Sequence, residues 1–408
     1  MVDQLASGEW LTRARVRRVA FLCAIASAAT MLWLFLAGEA TLDALGRPIG
    51  SDFSNVWTAG RMALDGRAAE AWDWAAHHAV QQQAHGRPDV PFYGWHYPPP
   101  FLLIAAALAT LPYLPALIVW QLATLIPFLG LVRRLVPDRD VLLLAAAAPV
   151  TLICLTHGHN GFLTALLLGG GLMLLDRRPL LAGLCFGCLI YKPQLGLILP
   201  PLLLIGGHWR AILGAGLSAA LLTGATLLIW GWPVWQAFID SLPLTRSVVI
   251  EQGGAGWHKI MSPFAAVRMW GGSVAAAHAV QWSIVLAAIG ALGWLHRTGA
   301  PAGLRNAFVC AAALLATPYV LDYDQVLLLP ALAWLWLQGR ETGQLRWEAT
   351  LIAIVWAAPM IARQAAQLAL LPIGLLGPAL VALLVLRRAA RAGQESAPGY
   401  RAPAISAS

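Results

Sequence analysis

Long apolar runs separated by short polar breaks dominate this chain. The runs occupy 19–38, 98–132, 141–156, 161–175, 179–191, 194–206, 211–230, 273–295, 304–317, 325–338, 348–362 and 367–386. A helix needs about 20 apolar residues to cross the hydrocarbon core, and about 17 at the short end of the range. Continuous runs of this kind are not the alternating pattern of a membrane barrel strand. The pattern predicts an all-α polytopic transmembrane bundle of about 12 spans, or 11–13 given the shortest runs. The run 98–132 holds two helices' worth of residues around Leu111-Pro112-Tyr113-Leu114-Pro115. Whether it is one span or a broken pair sets the parity of everything after it.

Composition narrows the class. Hydrophobic residues make up 59%, charged residues 11%, and mean hydropathy is +0.68. Soluble domains carry about 25% charged residues, so this chain cannot cover a soluble surface of its size. That excludes a cytosolic enzyme, and it excludes a nucleic-acid partner despite the net charge of +8. The 5 cysteines all lie within apolar runs and read as small buried hydrophobes. Cys185 and Cys188 have CxxC spacing, but no soluble redox or zinc fold surrounds them.

Charge also predicts sidedness. Arg13, Arg15, Arg17 and Arg18 precede the first run, which puts the N-terminus in the cytoplasm. An odd number of crossings in 98–132 then puts the clusters at 133–139, 177–178, 297–305, 340–346 and 387–391 inside as well. Both termini are cytoplasmic in this scheme. Residues 1–388 form one transmembrane domain, and 389–408, rich in Ala, Ser, Pro and Arg, reads as a disordered cytoplasmic tail.

The outer face keeps the informative residues. The first outer loop, 39–97, is too small for a domain of its own. Residues 54–66 and 69–85 have helical composition, and Trp57, Met62, Ala63, Trp72 and Trp74 fit amphipathic helices lying on the bilayer interface. Interface belts account for most of the 19 tryptophans; Trp57, Trp95 and Trp257 are candidates for stacking on a sugar or lipid head. Asp52 has two readings. It is either the N-cap of a helix starting near Ser54, or a general base whose pKa is raised beside the bilayer. Lys192 and Lys259 are the only lysines, and both fall outside, against the topogenic trend. Lys192 either snorkels at a span end or has a chemical task. The second outer loop, 231–272, carries His258, Lys259 and Arg268, a set that suits an anionic phosphate or lipid heads. His96 closes the first loop, and the cluster His157-Gly158-His159-Asn160 lies between two runs. Asp322 and Asp324 sit beside apolar runs, where carboxylates are costly. They suit a divalent metal, sugar hydroxyls, or an ion pair with Lys192 or Lys259. No P-loop, H-E-x-x-H or G-x-S-x-G motif occurs.

An ordered set of short motifs carries a resemblance. It comprises Ser51-Asp52-Phe53, Ala59-Gly60-Arg61, Tyr97-Pro98-Pro99, Gly158-His159-Asn160-Gly161-Phe162-Leu163, Tyr191-Lys192-Pro193-Gln194 and Thr317-Pro318-Tyr319 with Asp322-Tyr323-Asp324. Over about 50–330 the chain resembles glycosyltransferase family eighty-seven, integral-membrane enzymes of the GT-C class that use polyprenyl-phosphate sugars. The resemblance implies a GT-C helical bundle in the cell (inner) membrane with its site on the outer or periplasmic face. It implies transfer of mannose, or another hexose or pentose, from a polyprenyl-phosphate donor to a lipid or glycan acceptor, with inversion. Asp52 takes the place of the family's acidic base. Lys192, His258, Lys259 and Arg268 become candidates for the donor phosphate. Arg61, His96, His159, Asn160, Tyr319, Asp322 and Asp324 become candidates for sugar or acceptor. Some relatives carry histidines where this chain has Asp322-Tyr323-Asp324, a departure that bears on the sugar. No cofactor is required, and a divalent metal at Asp322 and Asp324 is possible but not needed. A transporter or flippase of lipid-linked glycans is the alternative, and a glycan polymerase or ligase of similar plan is a third reading. A transporter places ionisable groups near the midplane and shows repeats; here the charges gather at run ends and no repeat is visible.

Overall fold

The computed structural model describes residues 1–395. Among them every named element is helical, and strand-like pairing is limited to isolated bridges. A short α1 (Val2–Ser7) precedes α2 (Arg13–Leu36), α3 (Phe53–Leu64) and α4 (Trp74–His85). Then come α5 (Pro100–Ala109), α6 (Tyr113–Leu135), α7 (Asp140–Ala146), α8 (Pro149–His157), α9 (Gly161–Leu174), α10 (Pro179–Cys188) and α11 (Leu199–Ile205). The middle holds α12 (Trp209–Trp230), α13 (Trp232–Thr245), α14 (Pro263–Met269), α15 (Val274–Arg297) and α16 (Ala302–Leu315). The chain continues through α17 (Leu328–Thr342), α18 (Glu348–Ala357), α19 (Pro359–Ala369) and α20 (Ile373–Glu395). Because α20 runs to Glu395, the tail expected from 389 begins as helix; its remainder, 396–408, lies outside the described residues.

Five of these helices are long and apolar enough to cross a membrane: α2, α6, α12, α15 and most of α20. At 1.5 Å per residue, 22–24 residues span about 33–36 Å. Two bent pairs, α7 with α8 at 50° and α18 with α19 at 71°, raise the number to seven if each is one span. The helical membrane architecture is therefore present, with five to seven candidate spans by length and composition. The runs 161–175, 179–191, 194–206, 304–317 and 325–338 form helices of 14, 10, 7, 14 and 15 residues and fall outside that number. Pro149, Pro179, Pro193 and Pro359 stand in the first turns of their helices, where a missing N–H costs nothing. The starts at Pro149 and Pro359 cut the apolar runs 141–156 and 348–362, which hydropathy alone reads through. The run 98–132 is a broken pair: α5 ends at Ala109 and α6 starts after an extended Pro112. With 10 residues α5 reaches about 15 Å, too short to cross.

The helices of the first loop lie where composition puts them, but not on an interface. Met62, Ala63 and Trp72 are buried in the protein core. The apolar face of α3 packs against α5. Gly60 permits this: a Cβ there would stand 2.0 Å from the Ala105 carbonyl oxygen. Small residues are what let two backbones approach so closely. The contact matters because α3 begins immediately after Asp52.

Gly60→Val forces the two backbones apart, and overpacking of this kind costs about 1–3 kcal/mol. A lower thermal midpoint in nanodiscs is the expected outcome. Gly130, in α6, has open space around its Cα, so Gly130→Ala is the neutral control. Equal midpoints for the two variants would contradict the packing of α3 on α5.

Candidate functional site

Two turns bring the first loop to the rest of the site. The Asp52 amide donates to the His157 carbonyl at 2.9 Å, and the Phe53 amide donates to Gly50 at 2.7 Å. Gly158 ends α8 in the left-handed conformation, φ 61°. A Cβ there would meet the Phe53 Cβ at 2.7 Å and the Gly50 Cα at 3.2 Å. A left-handed residue without a side chain is thus needed where the turns touch. Asp52 occupies the N-cap position of α3 but its side chain makes no capping bond. Of its two readings, capping falls away, and the carboxylate faces the Tyr323 hydroxyl instead.

Beyond Gly158, the side chains of His159 and Asn160 turn inward. The His159 Nε2 bonds the Tyr97 hydroxyl at 3.0 Å, and its ring stacks on Tyr323 at 3.5 Å between centroids. Asn160 Oδ1 accepts from Lys192 Nζ at 3.2 Å. Lys192 does not snorkel. It is buried, 5% exposed, and its ammonium lies 2.5 Å from Asp324 Oδ1. A break in the apolar run puts it there: one 3₁₀ turn, Leu189–Tyr191, ends just before it and another, Pro193–Gly196, starts just after. Asp324 Oδ2 accepts from the Leu321 amide at 3.0 Å, so both of its oxygens are engaged. Asp322 pairs with Arg363 of α19 at 2.5 Å and accepts from the Tyr323 amide at 3.0 Å.

These groups border a cavity of about 580 Å³. Of the residues singled out by sequence, Asp52, His96, His159, Lys192, Lys259, Tyr319, Asp322 and Asp324 line it. Asn160 supports Lys192 from behind. Arg61, His258 and Arg268 are not in the lining. Arg61 pairs with Asp65 at 2.5 Å on the exposed side of α3. Arg268 donates to the Gly272 and Glu251 carbonyls, at 2.7 and 3.0 Å, and lies over the Trp257 ring. Its charge tethers the second loop. The stacking candidates also have other tasks: Trp95 is buried against Phe101, and Trp57 donates to the Leu111 carbonyl.

Burial sets the charges. It raises the Asp52 pKa, as does the charge of Asp322; His157, Tyr323 and Lys259 act against it. Burial pushes His96 down to about 4 and His159 well below its ordinary range. Both imidazoles are therefore neutral near pH 7 and serve as hydrogen-bonding groups. His96 Nδ1 lies 3.2 Å from the Thr245 hydroxyl. His258 is also lowered, by burial and by Lys259 and Arg363. The lining also holds Arg47, Lys192, Lys259 and Arg363. Of the three carboxylates named in the lining, Asp322 and Asp324 hold cations of the chain itself. Asp52 has no ion pair among the described residues. No group of three or more His, Cys, Asp or Glu suited to a metal ion occurs among those residues.

Arg363 is the residue that sequence reading missed. It falls between the runs 348–362 and 367–386, outside every motif. Yet the assumed topology puts it on the outer face, so it opposes the positive-inside trend just as the two lysines do. That signal was available.

The sequence model for glycosyltransferase family 87 matches residues 95–318, more than half of the chain. Tyr97, His159, Lys192 and Lys259 lie inside the match; Asp52, Asp322, Asp324 and Arg363 lie outside it. No curated protein and no solved structure matches the chain.

Asp324→Asn leaves the Lys192 ammonium buried without its counter-charge. Breaking a buried pair in this way costs about 3–5 kcal/mol. Replacing both partners, Lys192→Leu with Asp324→Leu, removes the orphaned charge and is expected to cost less than the single change. Thermal unfolding of the purified variants checks the order. A single variant as stable as an Asp65→Asn surface control would contradict the buried pair.

Proposed function

The chain belongs to glycosyltransferase family 87, and from that premise we propose a mechanism for it as a membrane glycosyltransferase. The donor is a sugar, mannose or another hexose or pentose, on a polyprenyl phosphate. The acceptor is a lipid or glycan hydroxyl. Asp52 takes the proton from that hydroxyl, whose oxygen attacks the anomeric carbon as the bond from that carbon to the phosphate oxygen breaks. Polyprenyl phosphate leaves. The observation that carries this reading is the division of the cavity carboxylates: two are committed to cations, and Asp52 is not. A base must hold its lone pair free and have a pKa nearer the working pH than an exposed aspartate has. Burial of Asp52 acts in that direction. The commitment of Asp322 and Asp324 to cations also leaves no second free carboxylate as nucleophile, which supports direct displacement with inversion.

Charge developing on the leaving phosphate needs cations already in place. Lys259 lines the cavity and has no ion pair among the described residues, so it is the mobile cation of the pair of lysines. Lys192 is held by Asp324 and acts by fixing the wall. The arginine distribution supports an outer-face site in the cell membrane with both termini inside.

Membranes containing the protein and a radiolabelled polyprenyl-phosphate sugar test the proposal. Asp52→Asn is expected to lower transfer by about 10²–10⁴-fold, the range for loss of a general base. The same change removes a carboxylate whose ionisation burial disfavours, so at neutral pH the folded variant is at least as stable as the parent. The sign follows from the raised pKa: the unfolded chain ionises first, and folding weakens as pH rises through the folded value. Transfer should itself rise with pH through that same value. Full transfer by a folded Asp52→Asn protein would remove Asp52 from the mechanism.

A further inference from the structure

A second cavity, of about 650 Å³, adjoins the first. Its walls are Leu22, Ala26, Trp33 and Leu34 of α2, with Ile153 of α8 and Met360 of α19. The helices that frame it are unusual. The apolar window of α2 is only 6% buried, and Leu22 and Trp33 are each more than half exposed. The main helical neighbours of α2 are α7 and α8, so much of its length stands away from the bundle. The facing α8 and α19 are the second halves of the two bent pairs. The result is an apolar cleft that opens sideways toward the region lipid would occupy.

The two cavities share Arg47, Ser51, His157, Asp322 and Arg363. A polar collar thus separates an apolar cleft from the chamber that holds Asp52. Arg47 is committed: its Nε and Nη2 both donate to Asp43 Oδ2, at 3.1 and 2.9 Å. Arg363 is not fully committed. One guanidinium nitrogen lies 2.5 Å from Asp322, but the buried Nε has no hydrogen-bond partner among the described residues. A buried guanidinium nitrogen without an acceptor costs free energy. A phosphate is the ligand whose planar-fork recognition by arginine would satisfy it.

We propose that the α2 cleft seats the isoprenoid chain of a lipid monophosphate, and that Arg363 binds its phosphate at the collar. The proposal rests on the lipid-phosphate donor reading above and adds to it a seat for the chain and a positioning residue for the head. A molecule with an apolar tail and an anionic head matches the order of the walls: hydrocarbon outside, arginine at the junction, Asp52 beyond. Asp322 then serves to hold the Arg363 side chain at the collar rather than to touch the sugar.

The test uses the full chain in nanodiscs and a polyprenyl monophosphate bearing a diazirine on its chain, with no sugar attached. Cross-links are expected on α2 between Leu22 and Leu34 and on Met360. Unlabelled polyprenyl monophosphate should displace them, whereas polyprenol and inorganic phosphate should not. Arg363→Gln is expected to weaken binding about tenfold or more, the loss associated with a charge-assisted hydrogen bond. Because that change leaves Asp322 without its cation, the double variant Arg363→Gln with Asp322→Asn is measured beside it and should bind as weakly. Ala26→Trp, which fills the cleft without touching the collar, should weaken the long-chain probe and spare a short-chain lipid phosphate. Cross-links spread evenly over the membrane-facing helices, or unchanged affinity in a folded Arg363→Gln protein, would overturn the proposal. The readout needs no sugar transfer, so a protein that labels here yet transfers nothing would refute the transfer mechanism and leave the lipid-phosphate seat standing.

Discussion

A buried ammonium against a buried carboxylate, Lys192 on Asp324, is the contact on which the site depends. Neither charge could be taken out of water alone. Together with Asn160 they tie three segments: the head of α9, the break between the 3₁₀ turns at 189–196, and the 3₁₀ turn Asp322–Leu327. Each segment interrupts an apolar run, and each brings a polar group that needs a partner. The pairing also settles what the remaining groups are free to do. With Asp324 on Lys192 and Asp322 on Arg363, Asp52 is the carboxylate named in the lining that has no ion pair among the described residues.

Desolvation in the same chamber has opposite results for an acid and for two bases. It raises Asp52 and lowers His96 and His159. The chamber thus sets an aspartate of raised pKa beside two imidazoles, His96 and His159, that are neutral near pH 7.

Much of this was legible in the sequence, and the failures have physical causes. Charge scarcity and long apolar runs gave the helical membrane class, and the ordered motifs gave the family. Asp52, His159, Lys192, Asp322 and Asp324 were singled out from run ends on one face, and the cavity collects them. Helix breaks were not legible, because hydropathy does not register a helix restarted by proline, as at Pro149 and Pro359. Partners were not legible either. Nothing local distinguishes Arg268, spent on two backbone carbonyls, from Lys259, which lines the cavity. Arg61 belonged to a motif yet faces away, because the helix it rides on presents Gly60 rather than Arg61 to α5. Trp72 and Met62 looked interfacial because amphipathicity reports an apolar face but not what covers it.

The central claim is that burial outweighs the opposing charges of His157 and Lys259 and holds the Asp52 pKa above that of an ordinary aspartate, so that its carboxylate, once ionised, is the stronger base. Infrared difference spectra across a pH titration, parent minus Asp52→Asn, isolate the carboxyl band of that one residue. The account predicts that the Asp52 band titrates clearly above about 4, the ordinary value for an aspartate. A band already lost at or below that value would show a carboxylate stabilised by a partner, and would contradict the account.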